Sequence, residues 1–257
     1  MGYHTMYDIQ KASILKRVSA WILDVILLAV LTVGCAWVFS DIVGYDDQQA
    51  QLDAYYDQYA KQYNTSFHYS VEEFEALSEE ERTRYESAYK AFMADEAAVD
   101  LYVRVPLLSI LTISVGVVLA CLVLEFLIPL LLGNGQTIGK KVFSIAVMRT
   151  HGVKIEGVCL FIRSILGKCA IETMIPVLIV NMLGLGMIGI SGTVIVAALL
   201  LAQGIMVIVT QNNALLHDLM SDTVVVDMST QKIFNSDQER LEYQQREAAE
   251  KAERQRY

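Results

Sequence analysis

Four long apolar segments constrain the fold of this chain more than any other feature. They cover about residues 18–40, 104–132, 171–189 and 192–210. An α-helix rises 1.5 Å per residue, so each segment is long enough to cross a hydrocarbon core of about 30 Å. The last two are separated only by a glycine-rich stretch, which predicts a tight turn between two spans. The sequence therefore predicts an all-α membrane protein built as a four-transmembrane-helix bundle.

Basic residues predict how these spans are oriented. Three precede the first span: Lys11, Lys16 and Arg17. Six more lie between the second and third: Lys140, Lys141, Arg149, Lys154, Arg163 and Lys168. Loops rich in Lys and Arg stay in the cytoplasm, so both stretches are expected there. With four spans, both termini are then cytoplasmic.

The segment between the first two spans is strongly acidic. The formal charge of the whole chain is −9, but residues 41–103 alone hold fifteen acids and four bases. Ser70 and Ser78 each precede a glutamate, Glu73 or Glu81, by three residues, which is the spacing of a helix capping box. We predict that residues 43–102 form an acidic, helical insert outside the cytoplasm. The insert is either a small helical cap over the bundle or a surface that binds a ligand or a protein partner.

Three further elements are expected on the cytoplasmic side. The stretch FSIAVMRTHGVKIEG alternates around His151-Gly152 and predicts a short β-hairpin; residues 222–227, DTVVVD, are also β-prone and could add a strand. The stretch VCLFIRSILGKCAIE predicts an amphipathic helix lying in the headgroup plane before the third span. Residues 229–257 predict a charged, solvated helical tail.

Polar residues inside the spans are candidates for a functional site. Asp24, Glu125 and Gln203 lie at a similar predicted depth, about seven residues from the cytoplasmic end of their spans. Arg17 and Asp218 are expected at the membrane surface nearby. A carboxylate facing lipid is costly, so these groups should face each other or water. The layer is either a site that binds or relays a cation or proton, or an ion-pair network that fixes helix packing; Gln203 fits a helix–helix hydrogen bond.

Motifs for other chemistry are weak. The four cysteines form no CxxC pair, and we expect no disulfide framework, metal site or cofactor. His217-Asp218 alone does not make a metal site. The stretch GNGQTIGKK lacks the context of a phosphate-binding loop; Lys140 and Lys141 are instead expected against anionic headgroups. Neither an enzyme nor a nucleic-acid-binding protein is predicted.

Three sequence blocks resemble the RDD family of bacterial membrane proteins. KRVSAWILDVIL is similar to the first block and carries Arg17 and Asp24; GQTIGKKVFSIAVM is similar to the central block. LLHDLMSDTVVVD is similar to the closing block and carries Asp218. The resemblance covers residues 10–42 and 103–228. It also singles out Gln136, Thr137, Gly139 and Lys140 of the central block.

The resemblance implies a location and a function. Members of this family are taken as transporters in the bacterial cell (inner) membrane, with cation or proton exchange suggested for some. The leading hypothesis is transport of a small cation or proton past Asp24, with Arg17, Asp218 and Glu125 as further ion-binding candidates. His217, Gln203, Gln136 and Lys140 would support them. The alternative is a non-transporting adaptor that holds a partner through the insert or the tail, and a homo-oligomer fits either function.

Overall fold

The structure, a computed structural model, describes residues 9–210 and 212–254, and most of them are helical. The α-helices are α1 Ile14–Val43, α2 Tyr45–Tyr63, α3 Val71–Glu75, α4 Glu79–Ala94, α5 Glu96–Cys121, α6 Ile128–Leu132, α7 Ile138–Val142, α8 Gly157–Phe161, α9 Ile175–Gly184, α10 Ile190–Val209, α11 Leu216–Met220 and α12 Asp237–Arg254. Two π-helical segments, Leu122–Leu127 and Ile162–Met174, join α5 to α6 and α8 to α9. The strands are β1 Ile145–Arg149 and β2 Thr223–Asp227.

Four helical stretches in the described residues are long and apolar enough to cross a membrane. They are Ile14–Val43, Glu96–Leu132, Gly157–Gly184 and Ile190–Val209, referred to below as the first to fourth spans. The predicted all-α membrane protein is confirmed. The helical stretch of the third span is longer than predicted, because the segment expected as a separate helix is continuous with it. Arg163 and Lys168 lie within this span because both find carboxylate partners inside the protein.

The two π-helical segments interrupt the second and third spans. Each is followed closely by a proline, Pro129 or Pro176. Proline has no backbone N–H, and its ring clashes with the carbonyl four residues earlier, so regular α-helical bonding is disturbed just before it. π-Helical turns are frequent at functional sites, and these two carry Glu125, Arg163 and Lys168.

The small sheet differs from the predicted hairpin in its pairing. β1 pairs antiparallel with β2, with Val147 opposite Val225. The expected hairpin partner makes a single bridge, between Met148 and Lys154. The backbone N–H of Lys154 donates to the carbonyl of Phe234 at 2.8 Å, so this stretch turns away from β1. The valines of β2 are buried, which favours the long-range pairing.

The chain divides into two compact units. The first comprises residues up to Val33 and from Val117 onward, and the second comprises Gly34–Gly116. In the first unit the sheet has apolar residues on both faces, because successive side chains of a strand point to opposite sides. Val147 and Val225 pack with Ala20 of the first span, while Met148 and Val226 pack on the other face.

The second unit has an aromatic core. Its central residue, Phe92, is buried and lies against the rings of Tyr56, Tyr59 and Phe67. Both predicted capping boxes are present, at Ser70–Glu73 and Ser78–Glu81. Hydrogen bonds from the cap serines hold the pKa of each glutamate below its ordinary value. The predicted helical character of the insert follows from these local signals.

Gly139 marks the closest approach between α7 and the first span. A Cβ atom added there would collide with the carbonyl oxygen of Ala20 and lie 2.8 Å from Oδ1 of Asp24. Overpacking a tight contact typically costs 1–3 kcal/mol. We therefore expect Gly139→Ala to lower the thermal unfolding temperature of the detergent-solubilised protein.

The matched control is Gly34→Ala in the first span. A Cβ atom at Gly34 has nothing within 4 Å, and alanine favours a helix over glycine by up to about 1 kcal/mol. This variant should unfold at the wild-type temperature or above it. Equal unfolding temperatures for the two variants would contradict the close packing of α7 on the first span.

Candidate functional site

Asp218, on the short helix α11, is the centre of a buried charge network in the first unit. Only 1% of this residue is exposed. Its Oδ1 accepts a hydrogen bond from Arg163 of the third span, and its Oδ2 lies 3.4 Å from Nη2 of Arg17. Burial alone would raise the pKa of Asp218, but the charges of Arg163, His217 and Arg17 outweigh it and hold the pKa well below the ordinary value. Asp218 therefore ties α11 to the first and third spans.

The loop after the fourth span is shaped around Arg17. Asn213 adopts a left-handed backbone conformation, with φ 51°, which asparagine tolerates better than most residues. Its carbonyl accepts a hydrogen bond of 2.7 Å from Nη1 of Arg17. Its side-chain amide donates to the carbonyl of Val207 at 2.9 Å. The predicted surface residue Arg17 is thus held by this loop as well as by Asp218.

Asp24 is buried, as expected, but it binds hydrogen-bond donors rather than a basic residue. Its Oδ2 accepts from the hydroxyl of Thr137 at 2.5 Å, and its Oδ1 accepts from the backbone N–H of Gly139 at 2.8 Å. Thr137 is the N-cap of α7. The carboxylate therefore also satisfies the N-terminal end of that helix, where negative charge is favoured.

Glu125 and His217 belong to two further buried pairs. Glu125 accepts a hydrogen bond from Lys168, on the third span. The imidazole Nδ1 of His217 lies 2.7 Å from Oε2 of Glu172, also on the third span. A Cβ atom on Gly167 would lie 2.7 Å from Cβ of His217, so glycine is needed there for α11 to pack closely. The sequence did not single out Lys168 or Glu172 as partners.

These groups surround a cavity of about 370 Å³ in the first unit. Its cationic wall residues are Arg17, Lys140, Arg163 and Lys168. Among the described residues, Asp24 is the only acidic residue in the wall of this cavity. Gln203 and His217 also reach the wall, whereas Glu125 contributes only through its bond to Lys168. The predicted layer of acids is thus a network of pairs beside a cavity that presents mainly positive charge.

Lys140 is the wall cation that lacks a carboxylate partner. Among the described residues, no carboxylate oxygen lies within 4 Å of its Nζ, which contacts the hydroxyl of Thr137 at 3.3 Å. Burial, and then the nearby charge of Lys168, lower the pKa of Lys140 to about 8. Burial also lowers the pKa of His217, with Arg163 as the next cause. Lys140 can therefore change protonation near neutral pH.

The remaining predicted residue, Gln136, lies away from the cavity. It is buried, and its Nε2 donates to the carbonyl of Ile145 at 2.9 Å, so it anchors the loop before α7 to β1. No group of three His, Cys, Asp or Glu side chains within residues 9–210 and 212–254 is arranged to hold a metal ion.

Removing the charge of Asp218 should strongly destabilise the protein. Asp218→Asn leaves the guanidinium of Arg163, which is 5% exposed, without its buried counter-charge. Breaking a buried ion pair on one side costs about 3–5 kcal/mol. Thermal unfolding in detergent measures this loss. Glu80→Gln, which removes an exposed partner 4.0 Å from Arg84, should cost less than about 1 kcal/mol; similar losses from both would contradict the network.

The lowered pKa of Lys140 makes stability depend on pH. In the unfolded chain this lysine keeps its proton up to about 10.5, whereas in the folded protein it loses it near pH 8. Between these values the unfolded state binds more protons, so the destabilising effect of Lys140 is full below pH 8 and fades as the pH rises. Lys140→Met should therefore raise the unfolding temperature at pH 7 and raise it less at pH 10.

The exposed neighbour Lys141 supplies the control. Lys141→Met should shift the unfolding temperature little, and equally at both pH values. An identical pH profile for the two variants would show that Lys140 has an ordinary pKa.

Comparison with known proteins gives one family. Searches of curated proteins and of solved structures return no match. The sequence model of the RDD family matches residues 98–222, a range that includes Lys140, Arg163 and Asp218. Arg17 and Asp24 precede the matched range, so their assignment to the family's first block depends on sequence resemblance. The chain therefore contains an RDD family domain over residues 98–222.

Proposed function

We propose that this membrane protein transports protons, with Lys140 as the group that binds and releases them inside the membrane-spanning unit. The main support is the ammonium group of Lys140, which has a pKa of about 8. This group faces the cavity and has no carboxylate partner among the described residues. A group with a pKa near 7 gains and loses its proton readily at physiological pH.

The arrangement of charges favours a proton over a metal cation. Sodium or potassium would need several free oxygen ligands, but both oxygens of Asp24 already accept hydrogen bonds. Asp218 and Glu125 are occupied by Arg163 and Lys168. The ammonium of Lys140 in the cavity wall, which has no carboxylate partner among the described residues, would also repel a metal ion. A proton needs only a chain of titratable groups and hydroxyls.

Thr137 supplies such a chain. Its Oγ1 lies 3.3 Å from Nζ of Lys140 and 2.5 Å from Oδ2 of Asp24. A hydroxyl can accept a proton from the ammonium while it donates its own to the carboxylate. The path Lys140–Thr137–Asp24 thus gives Asp24 a role in proton transfer. A central role for Asp24 is also what the resemblance to the family implies.

We place the protein in the bacterial cell membrane, with both termini and the cavity end of the spans on the cytoplasmic side. The support is the excess of Lys and Arg before the first span and between the second and third. In this orientation, the acidic insert lies outside the cytoplasm.

Proton flux in proteoliposomes tests the proposal. The vesicles would contain phosphatidylethanolamine and phosphatidylglycerol, an internal pH-sensitive dye, and potassium with valinomycin to balance charge. Wild-type protein should dissipate an imposed pH gradient faster than empty vesicles do. Lys140→Met should reduce the rate to that of empty vesicles, because the proton-binding group is removed, and Thr137→Val should slow it by breaking the relay.

Lys141→Met is the control and should retain wild-type flux. A wild-type rate equal to that of empty vesicles would refute proton transport. Wild-type flux in Lys140→Met would refute the role of this lysine.

A second candidate function is that of an accessory protein that binds a partner through the insert. Its support is that residues 34–116 form a compact unit with an aromatic core of their own and a strongly negative charge. Crosslinking and purification of the full chain, and of a variant lacking residues 45–100, would test it. A protein recovered only with the full chain would favour this function, and identical recoveries would count against it.

A further inference from the structure

The cavity is open at a surface of the spans that would face lipid. Its apolar wall includes Val18 and Trp21 of the first span and Leu200 and Val207 of the fourth. Trp21 is 54% exposed and Leu200 is 62% exposed, although both line the cavity. Exposed apolar residues within a membrane span contact lipid, and tryptophan is frequent near the ends of spans. The cavity therefore has a lateral opening toward the lipid bilayer.

The inner wall of the same cavity is cationic. Arg163 and Arg17 share one carboxylate, that of Asp218, and Lys168 is paired with Glu125. Lys140 has only a hydroxyl contact for its ammonium group. Lys140 is half-buried, and a charge partly removed from water without a counter-charge is costly, so an anion entering the cavity would relieve that cost.

We propose that the cavity binds an anionic amphiphile, a phosphate or carboxylate head on an apolar chain. The head pairs with Lys140, and the chain leaves between the first and fourth spans past Trp21 and Leu200. The volume of about 370 Å³ lies within the range of small-molecule sites. This inference extends the proposed function, because it names the ligand that accompanies the proton: protonated Lys140 and a bound anion together carry no net charge.

The fluorescence of Trp21 can report binding at this site. It has two tryptophans, Trp21 in the cavity wall and Trp37 farther along the first span. Trp37→Phe leaves Trp21 as the single fluorophore. Lipids with brominated chains quench a tryptophan when they bind beside it, so their competition for the site can be measured in vesicles of unbrominated phosphatidylcholine.

The experiment compares brominated phosphatidylglycerol with brominated phosphatidylcholine in the Trp37→Phe protein. We expect the anionic lipid to bind about fivefold more strongly at pH 6.5, as one lysine–lipid charge contact predicts. In Lys140→Met this preference should vanish, whereas in Lys141→Met it should persist. At pH 9.5, where Lys140 is neutral, the preference should also fall. Equal quenching by both lipids at pH 6.5, or an undiminished preference in Lys140→Met, overturns the proposal.

Soluble competitors distinguish an amphiphile from a free anion. Octyl phosphate should reverse the excess quenching, and inorganic phosphate at the same concentration should not. Equal reversal by inorganic phosphate would overturn the requirement for an apolar chain. The binding measurement is also independent of transport: a preserved lipid preference without proton flux would refute the proposed function alone, and flux without lipid preference would refute this inference alone.

Discussion

The first unit depends on the cost of holding charge away from water. Asp218 lies almost fully buried beside Arg163 and Arg17, and no one of these residues would be stable there without the others. The three come from α11, the third span and the first span, up to 201 residues apart in sequence. A misplaced helix would leave at least one charge unpaired, so the network selects a single arrangement of these segments. The apolar contacts around it add stability but are much less selective.

The sequence predicts the features that are set locally. Apolar length identifies all four spans, and the serine–glutamate spacing identifies both capping boxes of the insert. The depth of Asp24 and Glu125 correctly predicts that both are buried. The partners of these acids could not be predicted, because they depend on tertiary contacts. Arg163 and Lys168 have the sequence pattern of an interfacial helix, and only the presence of Asp218 and Glu125 opposite them makes an intramembrane position tolerable.

Tertiary contacts also explain why the pairing of the sheet and the charge of the cavity differ from the predictions. A turn at His151-Gly152 favours a local hairpin, yet β1 pairs with β2, where Val147 lies opposite Val225, 78 residues farther on, because that strand is the more apolar partner. The acids counted from the sequence likewise suggested a cation site. Their oxygens point to Thr137, Gly139, Arg163 and Lys168, which leaves the ammonium of Lys140 facing the cavity.

The π-helical segment of the third span has a consequence for any comparison of related sequences. On an ideal α-helical wheel, Arg163 and Lys168 are five positions apart and therefore point about 140° away from each other. Bonding from residue i to i+5 brings such positions onto one face, and both side chains indeed reach the same cavity. A helical wheel drawn with 3.6 residues per turn therefore places Arg163 and Lys168 on different faces, although both line one cavity. In related sequences, we expect a charge pair at a spacing of five before a proline to mark the corresponding wall.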